Sequence, residues 1–165
     1  MKIEDNFLDQ EKFDELQILM MGDNFAWYFN KGIVYQTEDK FQFTHTFYKN
    51  FAPHSPLLGR LTPIIKGINP ISLWRIKANL RTKTSKIEES LFHVDMAGMS
   101  EENQKQWTTS IFYINTNNGY TEFEDNTKVE SVANRMVTFP ANIKHTGTSC
   151  TNEQTRVVIN FNYFK

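Results

Sequence analysis

The chain has 165 residues, 39% hydrophobic and 14% aromatic, enough apolar material for a packed core and too much for a disordered chain. Lys and Arg number 18 against 19 Asp and Glu, so composition argues against a polyanionic partner such as nucleic acid. A lone cysteine, Cys150, excludes an intrachain disulfide and fits a reducing compartment.

The chain opens without a basic stretch followed by an apolar run, and no apolar run approaches the roughly 20 residues that span a bilayer. The expectation is a soluble, cytoplasmic protein without signal peptide or membrane segment. No repeat, low-complexity tract or Pro/Gly/Ser linker divides the chain, which reads as one domain over 1–165, with helical support over 1–70 and a β core over 71–165.

Asp9 to Met21 carries an apolar stripe and reads as a helix with Asp9 as N-cap, stopped by Gly22-Asp23. Phe25 to Phe29 reads as an aromatic strand, Lys31 to Lys40 as a loop or weak hairpin, and Phe41 to Tyr48 as a clean alternating strand. Ser55 to Ile68 has the spacing of a second helix, with Pro56 in its first turn and Pro63 placed to bend or split it. From there strands are expected over Ile71–Leu80, Leu91–Met96, Trp107–Asn115, Tyr120–Glu124, Lys128–Ser131, Arg135–Phe139, His145–Thr148 and Thr155–Phe164. About eight short strands separated by turn residues suggest two sheets closed on each other, a jelly roll, with two helices bracing one outer face.

Chemistry concentrates at Leu91-Phe92-His93-Val94-Asp95-Met96. Residues two apart in a strand share a face, so His93 and Asp95 project together, with Phe92 and Val94 packed behind. An imidazole and a carboxylate are two of the three ligands of a 2-His-1-carboxylate iron site. His145, fifty residues beyond Asp95, is the candidate third. Three ligands on one face of an octahedron leave positions open, and open positions point to catalysis rather than structure. Eleven residues further, Arg156 heads the apolar strand Arg156-Val157-Val158-Ile159. Burying a lone guanidinium is costly unless it meets an anion, and its fork suits a carboxylate. A cosubstrate that chelates iron at one end and carries a carboxylate at the other answers both features, and 2-oxoglutarate is such a molecule.

His93-x-Asp95, His145 and Arg156 together resemble the iron(II)/2-oxoglutarate-dependent oxygenase family, in particular its prolyl hydroxylase-like branch, over roughly residues 71–165. Ser110-Ile111-Phe112-Tyr113-Ile114-Asn115 is similar to the strand of that branch whose tyrosine reaches the 2-oxoglutarate carboxylate, which falls on Tyr113. Asn118-Gly119-Tyr120-Thr121-Glu122-Phe123 is similar to the family's Gly-Gly-x-Thr-x-Phe, which assigns Thr121 to the same pocket and puts Asn118 in place of the first glycine. The resemblance implies a double-stranded β-helix (jelly-roll, cupin-like) core. It also implies Fe(II) on His93, Asp95 and His145, with 2-oxoglutarate on Arg156, Tyr113 and Thr121. The reaction implied consumes O2 and hydroxylates a peptidyl, first of all prolyl, or small-molecule substrate, releasing succinate and CO2. No nucleic-acid or membrane partner is expected, and an oligomer is compatible.

Read singly, each residue has a plainer explanation. His93 alone fits a hydrogen-bonded core histidine, Tyr113 a core aromatic, and Arg156 an ion-paired strand end. His45 and His54 fall outside the pattern and read as surface or structural. The stretches Arg81 to Ser90 and Ala97 to Gln106 flank the iron pair and are candidate lid segments. Two alternatives compete: a metal-binding cupin-like protein without oxygenase activity, and a nucleic-acid demethylase of the same superfamily. The demethylase pattern has a second arginine six residues after the first, where this chain has Asn162.

Overall fold

A computed structural model describes residues 1–34 and 40–165. It is mainly β, with the helices packed on one side. Strand β1 (Lys2–Glu4) precedes helix α1 (Gln10–Met21), followed by β2 (Tyr28–Lys31), β3 (Phe41–Lys49) and the short β4 (Ala52–Pro53). A 3-10 turn (Pro56–Leu61) and α2 (Thr62–Ile68) lead into β5 (Ser72–Thr82). Then come α3 (Glu101–Gln104), β6 (Trp107–Tyr113), β7 (Tyr120–Phe123), β8 (Lys128–Glu130), β9 (Met136–Pro140), β10 (His145–Gly147) and β11 (Thr155–Phe164). No described helix is long and apolar enough to cross a membrane.

The strands form two antiparallel sheets, as the jelly-roll expectation requires. The larger runs β1-β9-β6-β11-β5-β3-β2, with β4 added on β3; the smaller is β10-β7-β8. Strand period then divides the interior. On β11, Val157, Ile159, Phe161 and Tyr163 face the helices and join Phe13, Leu16, Met20, Ile64, Ile76 and Phe112 in one apolar core. A second core, between the sheets, holds Ile111, Tyr113, Phe123, Val129, Val137, Phe139 and Val158. The other face of β11 is left with Arg156, Val158, Asn160 and Asn162, turned toward the space between the sheets.

Several expectations shift. The helix expected over Ser55–Ile68 is divided, as Pro63 foreshadowed: the 3-10 turn begins at Pro56, with the Ser55 hydroxyl accepting from the Leu57 N–H, and α2 restarts at Thr62. Asp9 stands at the N-cap of α1 but its side chain accepts no capping bond. The aromatic strand begins at Tyr28 rather than Phe25, and Phe25 packs into the core. Half of the loop expected over Lys31–Lys40, residues 35–39, lies outside the described residues. Neither β1, which pairs with β9, nor α3 was expected.

The largest correction concerns Leu91–Met96, which is not a strand. It touches β10 through one antiparallel bridge, His93 to His145, with a second at Glu89–Thr148, and turns away at Asp95. Phe92 is 41% exposed and Leu91 52%, so Phe92 is not the buried backing residue that a strand would make it. The alternation is real, but β10 is only three residues long and offers too short an edge to extend the ladder.

Candidate metal centre and anion pocket

His93 arrives on the isolated bridge, Asp95 on the turn after it and His145 at the head of β10. The bridge is reciprocal: each histidine N–H donates 3.0 Å to the other's carbonyl. This holds the two rings 4.9 Å apart, centre to centre. One ligand atom from each of His93, Asp95 and His145 lies within 4.8 Å of the others. The turn carrying Asp95 is tied down from α3, whose Gln104 amide donates to the Met96 and Met99 carbonyls at 3.0 and 2.9 Å.

Both imidazoles are prepared in the same way. Nδ1 of His93 donates to the Leu91 carbonyl at 3.0 Å, and Nδ1 of His145 to the Ile143 carbonyl at 3.4 Å. The proton is thereby fixed on Nδ1, leaving each Nε2 lone pair free for a metal. Burial lowers the His145 imidazole from its ordinary 6.5 to about 4, against the opposing pull of Asp95. His145 is therefore neutral, the state a ligand needs, at any pH near 7.

The Asp95 carboxylate is 5% exposed and held on both oxygens. Oδ1 meets Arg75 Nη2 at 3.0 Å and lies 3.8 Å from His93 Nε2. Oδ2 accepts from the amides of Asn162 at 3.0 Å and Asn160 at 3.3 Å. Arg75 Nε donates in turn to Asn162 Oδ1 at 3.0 Å, closing a ring of contacts behind the carboxylate. Burial alone would raise the carboxyl; Arg75, the two imidazoles and Asn162 outweigh it and hold Asp95 well below the usual carboxylate range.

The same cavity is lined deeper in by Arg156 and Thr121. Arg156 is 4% exposed, and among the described residues no carboxylate pairs with it. Its Nε donates to Ser131 Oγ at 2.7 Å and its Nη2 to Thr121 Oγ1 at 3.1 Å. Thr121 Oγ1 also accepts from the Tyr113 hydroxyl at 2.8 Å. With both lone pairs engaged, the Thr121 hydroxyl proton is left to donate toward the cavity. Tyr113 is fully buried and lies behind Thr121 rather than on the cavity wall, so it acts on the pocket through the threonine. Of the sequence candidates, His93, Asp95, His145, Arg156 and Thr121 therefore meet in one cavity, and Tyr113 backs it. His45 does not join them: its ring bonds the Ala26 carbonyl and Ser55 Oγ, both at 2.8 Å, and packs on Phe25 and Phe47.

Neither Arg75 nor Lys77 was singled out in the sequence: Lys77 lines the cavity with Asn79 and Arg81, Arg75 stands behind Asp95, and all four lie at alternate positions of β5. Their signal was there, since Arg75-Ile76-Lys77-Ala78-Asn79-Leu80-Arg81 alternates polar and apolar at the strand period. In register with β11, Arg75 faces Asn162, Lys77 faces Asn160, Asn79 faces Val158 and Arg81 faces Arg156. Arg81 Nη1 donates to the carbonyls of Glu88 and Gly147 and to Ser90 Oγ at 3.0–3.2 Å, which fixes the segment before His93 against β10.

No protein-family model and no curated protein matches the sequence. Solved structures do match the fold. A prolyl hydroxylase from Trichoplax adhaerens, in complex with a hypoxia inducible factor peptide fragment, superposes with a TM-score of 0.69 at 11% identity, over 99% of this chain and 82% of that one. The non-heme alpha ketoglutarate dependent carbocyclase SnoK from nogalamycin biosynthesis gives 0.67 at 13% identity, over 99% and 78%. HygX from Streptomyces hygroscopicus, with nickel, 2-oxoglutarate and hygromycin B bound, gives 0.65 at 9% identity, over 98% and 81%.

Proposed function

We propose that this chain, which has the fold of the iron(II)/2-oxoglutarate oxygenases, is a dioxygenase of that class and hydroxylates a C–H bond of a peptidyl or small-molecule substrate. The observation that carries the reading is one cavity joining two unlike features. One is a His-Asp-His trio with its lone pairs converging; the other is a buried guanidinium with no carboxylate beside it among the described residues.

The donor set fits the group. Two imidazoles and one carboxylate suit a divalent iron and leave sites open. The unpaired Arg156 suits the distal carboxylate of a keto diacid. When bound, iron(II) and 2-oxoglutarate together supply the oxidising power that puts one oxygen of O2 into the substrate and the other into succinate, with loss of CO2. The chain's own contribution is placement. Arg156 Nη1 is directed at Gly147, where a Cβ would stand 3.4 Å away, so the glycine leaves the guanidinium open to a carboxylate. Thr121 adds its hydroxyl proton, and Tyr113 fixes that hydroxyl. Arg75, Asn160 and Asn162 hold the Asp95 carboxylate in one orientation. Ile111 and Val158 line the cavity and keep water from its centre.

The alternatives fit less well. A metal-binding protein without a keto acid leaves the burial of Arg156 unanswered. A nucleic-acid demethylase has a second arginine where Asn162 stands, and the Asn162 amide is already engaged by Asp95 and Thr109. Among substrates, peptidyl proline is the first candidate and free amino acids the second.

Anaerobic addition of iron(II), then of 2-oxoglutarate, is expected to produce a visible charge-transfer band that saturates at one equivalent of each; a protein that binds neither overturns the assignment. Succinate release with proline-containing peptides set against free amino acids then sorts the substrates.

Gly119 tests the Arg156 end separately. A Cβ there would stand 2.6 Å from Arg156 Cδ and 2.6 Å from the Ser149 carbonyl oxygen, a backbone atom that cannot swing aside. Gly119→Ala is expected to cost about 1–3 kcal/mol of stability and to weaken 2-oxoglutarate binding while metal binding is kept. Unchanged cosubstrate affinity in a folded variant would show that Arg156 is not the anchor.

A further inference from the structure

Building on the function proposed above, we infer that the substrate carries an oxyanion, a carboxylate or a phosphate, and that Lys77 is its anchor. Every other cation of the site has a partner. Arg75 has Asp95; Arg81 is held by two carbonyls and Ser90; Arg156 faces the space assigned to the cosubstrate's distal carboxylate. Lys77 makes no ion pair and no hydrogen bond with any described residue; it is half-buried, and the carboxylate that attracts it, Asp95, is already held by Arg75. An ammonium removed from water without a counter-charge is unfavourable, so its place is explained by an anion that arrives with a ligand.

Position separates that ligand from the cosubstrate. Lys77 lies four residues along the sheet, roughly 13 Å at strand rise, from the level of Arg81 and Arg156. It also lines a second, outer hollow that shares His93 and Asp95 with the inner cavity. That hollow is bordered by Arg75 and Lys144 as well as by Ile33, Val34 and Phe92. Lys144 is paired with Glu124 at 3.0 Å, so the positive charge left over in the hollow is that of Lys77. A bound divalent metal would have its two charges met by Asp95 and by a carboxylate of the keto acid, so neither would offset the ammonium. Beside Lys77, the buried amide oxygens of Asn79 and Asn160 have no donor among the described residues. A hydroxyl or amine next to the oxyanion would supply one. The substrate that satisfies all three groups is a small polar acid rather than a neutral apolar molecule.

The test is calorimetric binding of charge-matched pairs, acetyl-L-proline against acetyl-L-prolinamide and glycerol 3-phosphate against glycerol, to the protein loaded with zinc(II) and 2-oxoglutarate. The first pair reports a carboxylate and the second a phosphate. One acid is expected to bind at least about tenfold tighter than its neutral twin, the size of one charge-assisted contact. Lys77→Met should erase the preference and Lys77→Arg keep most of it, with 2-oxoglutarate affinity within about threefold in both. No preference in either pair, or a preference that survives Lys77→Met, overturns the inference. So does a Lys77→Met protein that loses 2-oxoglutarate instead, which would place the lysine on the cosubstrate. Should the wild-type protein fail to take up zinc and 2-oxoglutarate at all, the functional proposal falls; the same pairs titrated into the metal-free protein still decide the role of Lys77.

Discussion

Arg156→Met is expected to reduce 2-oxoglutarate affinity by at least about a hundredfold, the loss of a two-pronged charged contact in a dry pocket, while zinc or iron binding at the His-Asp-His trio stays unchanged. The same substitution should leave the unfolding free energy of the empty protein unchanged or raise it. An isolated buried guanidinium costs several kcal/mol in desolvation. Its contacts with Ser131 and Thr121 are hydrogen bonds to neutral hydroxyls, each contributing about 1–3 kcal/mol toward offsetting that cost. Burial accordingly lowers the Arg156 pKa from its ordinary value. Methionine fills a similar volume without the charge, and the Tyr113 hydroxyl still has Thr121 to donate to. Affinity and stability therefore move in opposite directions, which an ordinary core or ion-paired arginine would not produce. Calorimetry with 2-oxoglutarate and a urea titration of the metal-free protein read the two quantities. A variant that binds 2-oxoglutarate as the wild type does removes the cosubstrate from this pocket. One that is strongly destabilised gives Arg156 a structural role instead.

The second large effect is on acid stability. His145 has a folded-state pKa of about 4 against 6.5 unfolded, so the unfolded chain is the better proton acceptor. Its contribution to stability is complete above pH 6.5 and is lost progressively as the pH falls from 6.5 toward 4. At 1.36 kcal/mol per unit, the full loss is about 3 kcal/mol. Asp95 acts in a lower window. Its folded pKa is depressed, so its contribution holds above the unfolded carboxylate value near 4 and is lost as the pH falls below that. Urea midpoints of chelator-treated protein between pH 7.5 and 4.5 should therefore fall steeply. His145→Gln, which keeps a polar side chain but takes up no proton, should flatten the slope by most of that amount. An equal slope in wild type and variant would mean that the imidazole is not buried neutral. Added zinc should stabilise the wild type near neutral pH and steepen the acid loss, because proton and metal compete for the same nitrogen.

The two hollows differ in what holds them open. The Arg156 end is walled by β-sheet on both sides and by Gly119, whose missing side chain makes room for the arginine stem. The Lys77 end is bordered by the bridge and turn around His93 and by the start of the segment after β2. The outer hollow is thus part strand, where β5 carries Arg75 and Lys77, and part loop, whereas the Arg156 end is walled by strands.

Much of this was legible in the chain itself. The candidate trio His93, Asp95 and His145 and the candidate anchor Arg156 could be named from residue type and spacing, and Thr121 from the likeness of its motif to that of a known family. Strand period also separates the two faces of β11, Arg156, Val158, Asn160 and Asn162 on one and the core residues on the other, although the sequence alone reads only as an apolar strand headed by an arginine. Spacing also placed the break at Pro63. What the sequence could not supply was register and context. That Arg75 meets Asn162, and so comes to hold Asp95, depends on pairing β5 with a strand more than seventy residues later, and period alone is silent on which residues face each other. That Leu91–Met96 is a bridge and a turn rather than a strand depends on how short the neighbouring β10 is. That Lys77 has no ion pair among the described residues depends on which carboxylates the fold brings to β5. Residue chemistry and local period are written in the chain; pairing, burial and the balance of charge in an enclosed space arise only when distant segments meet.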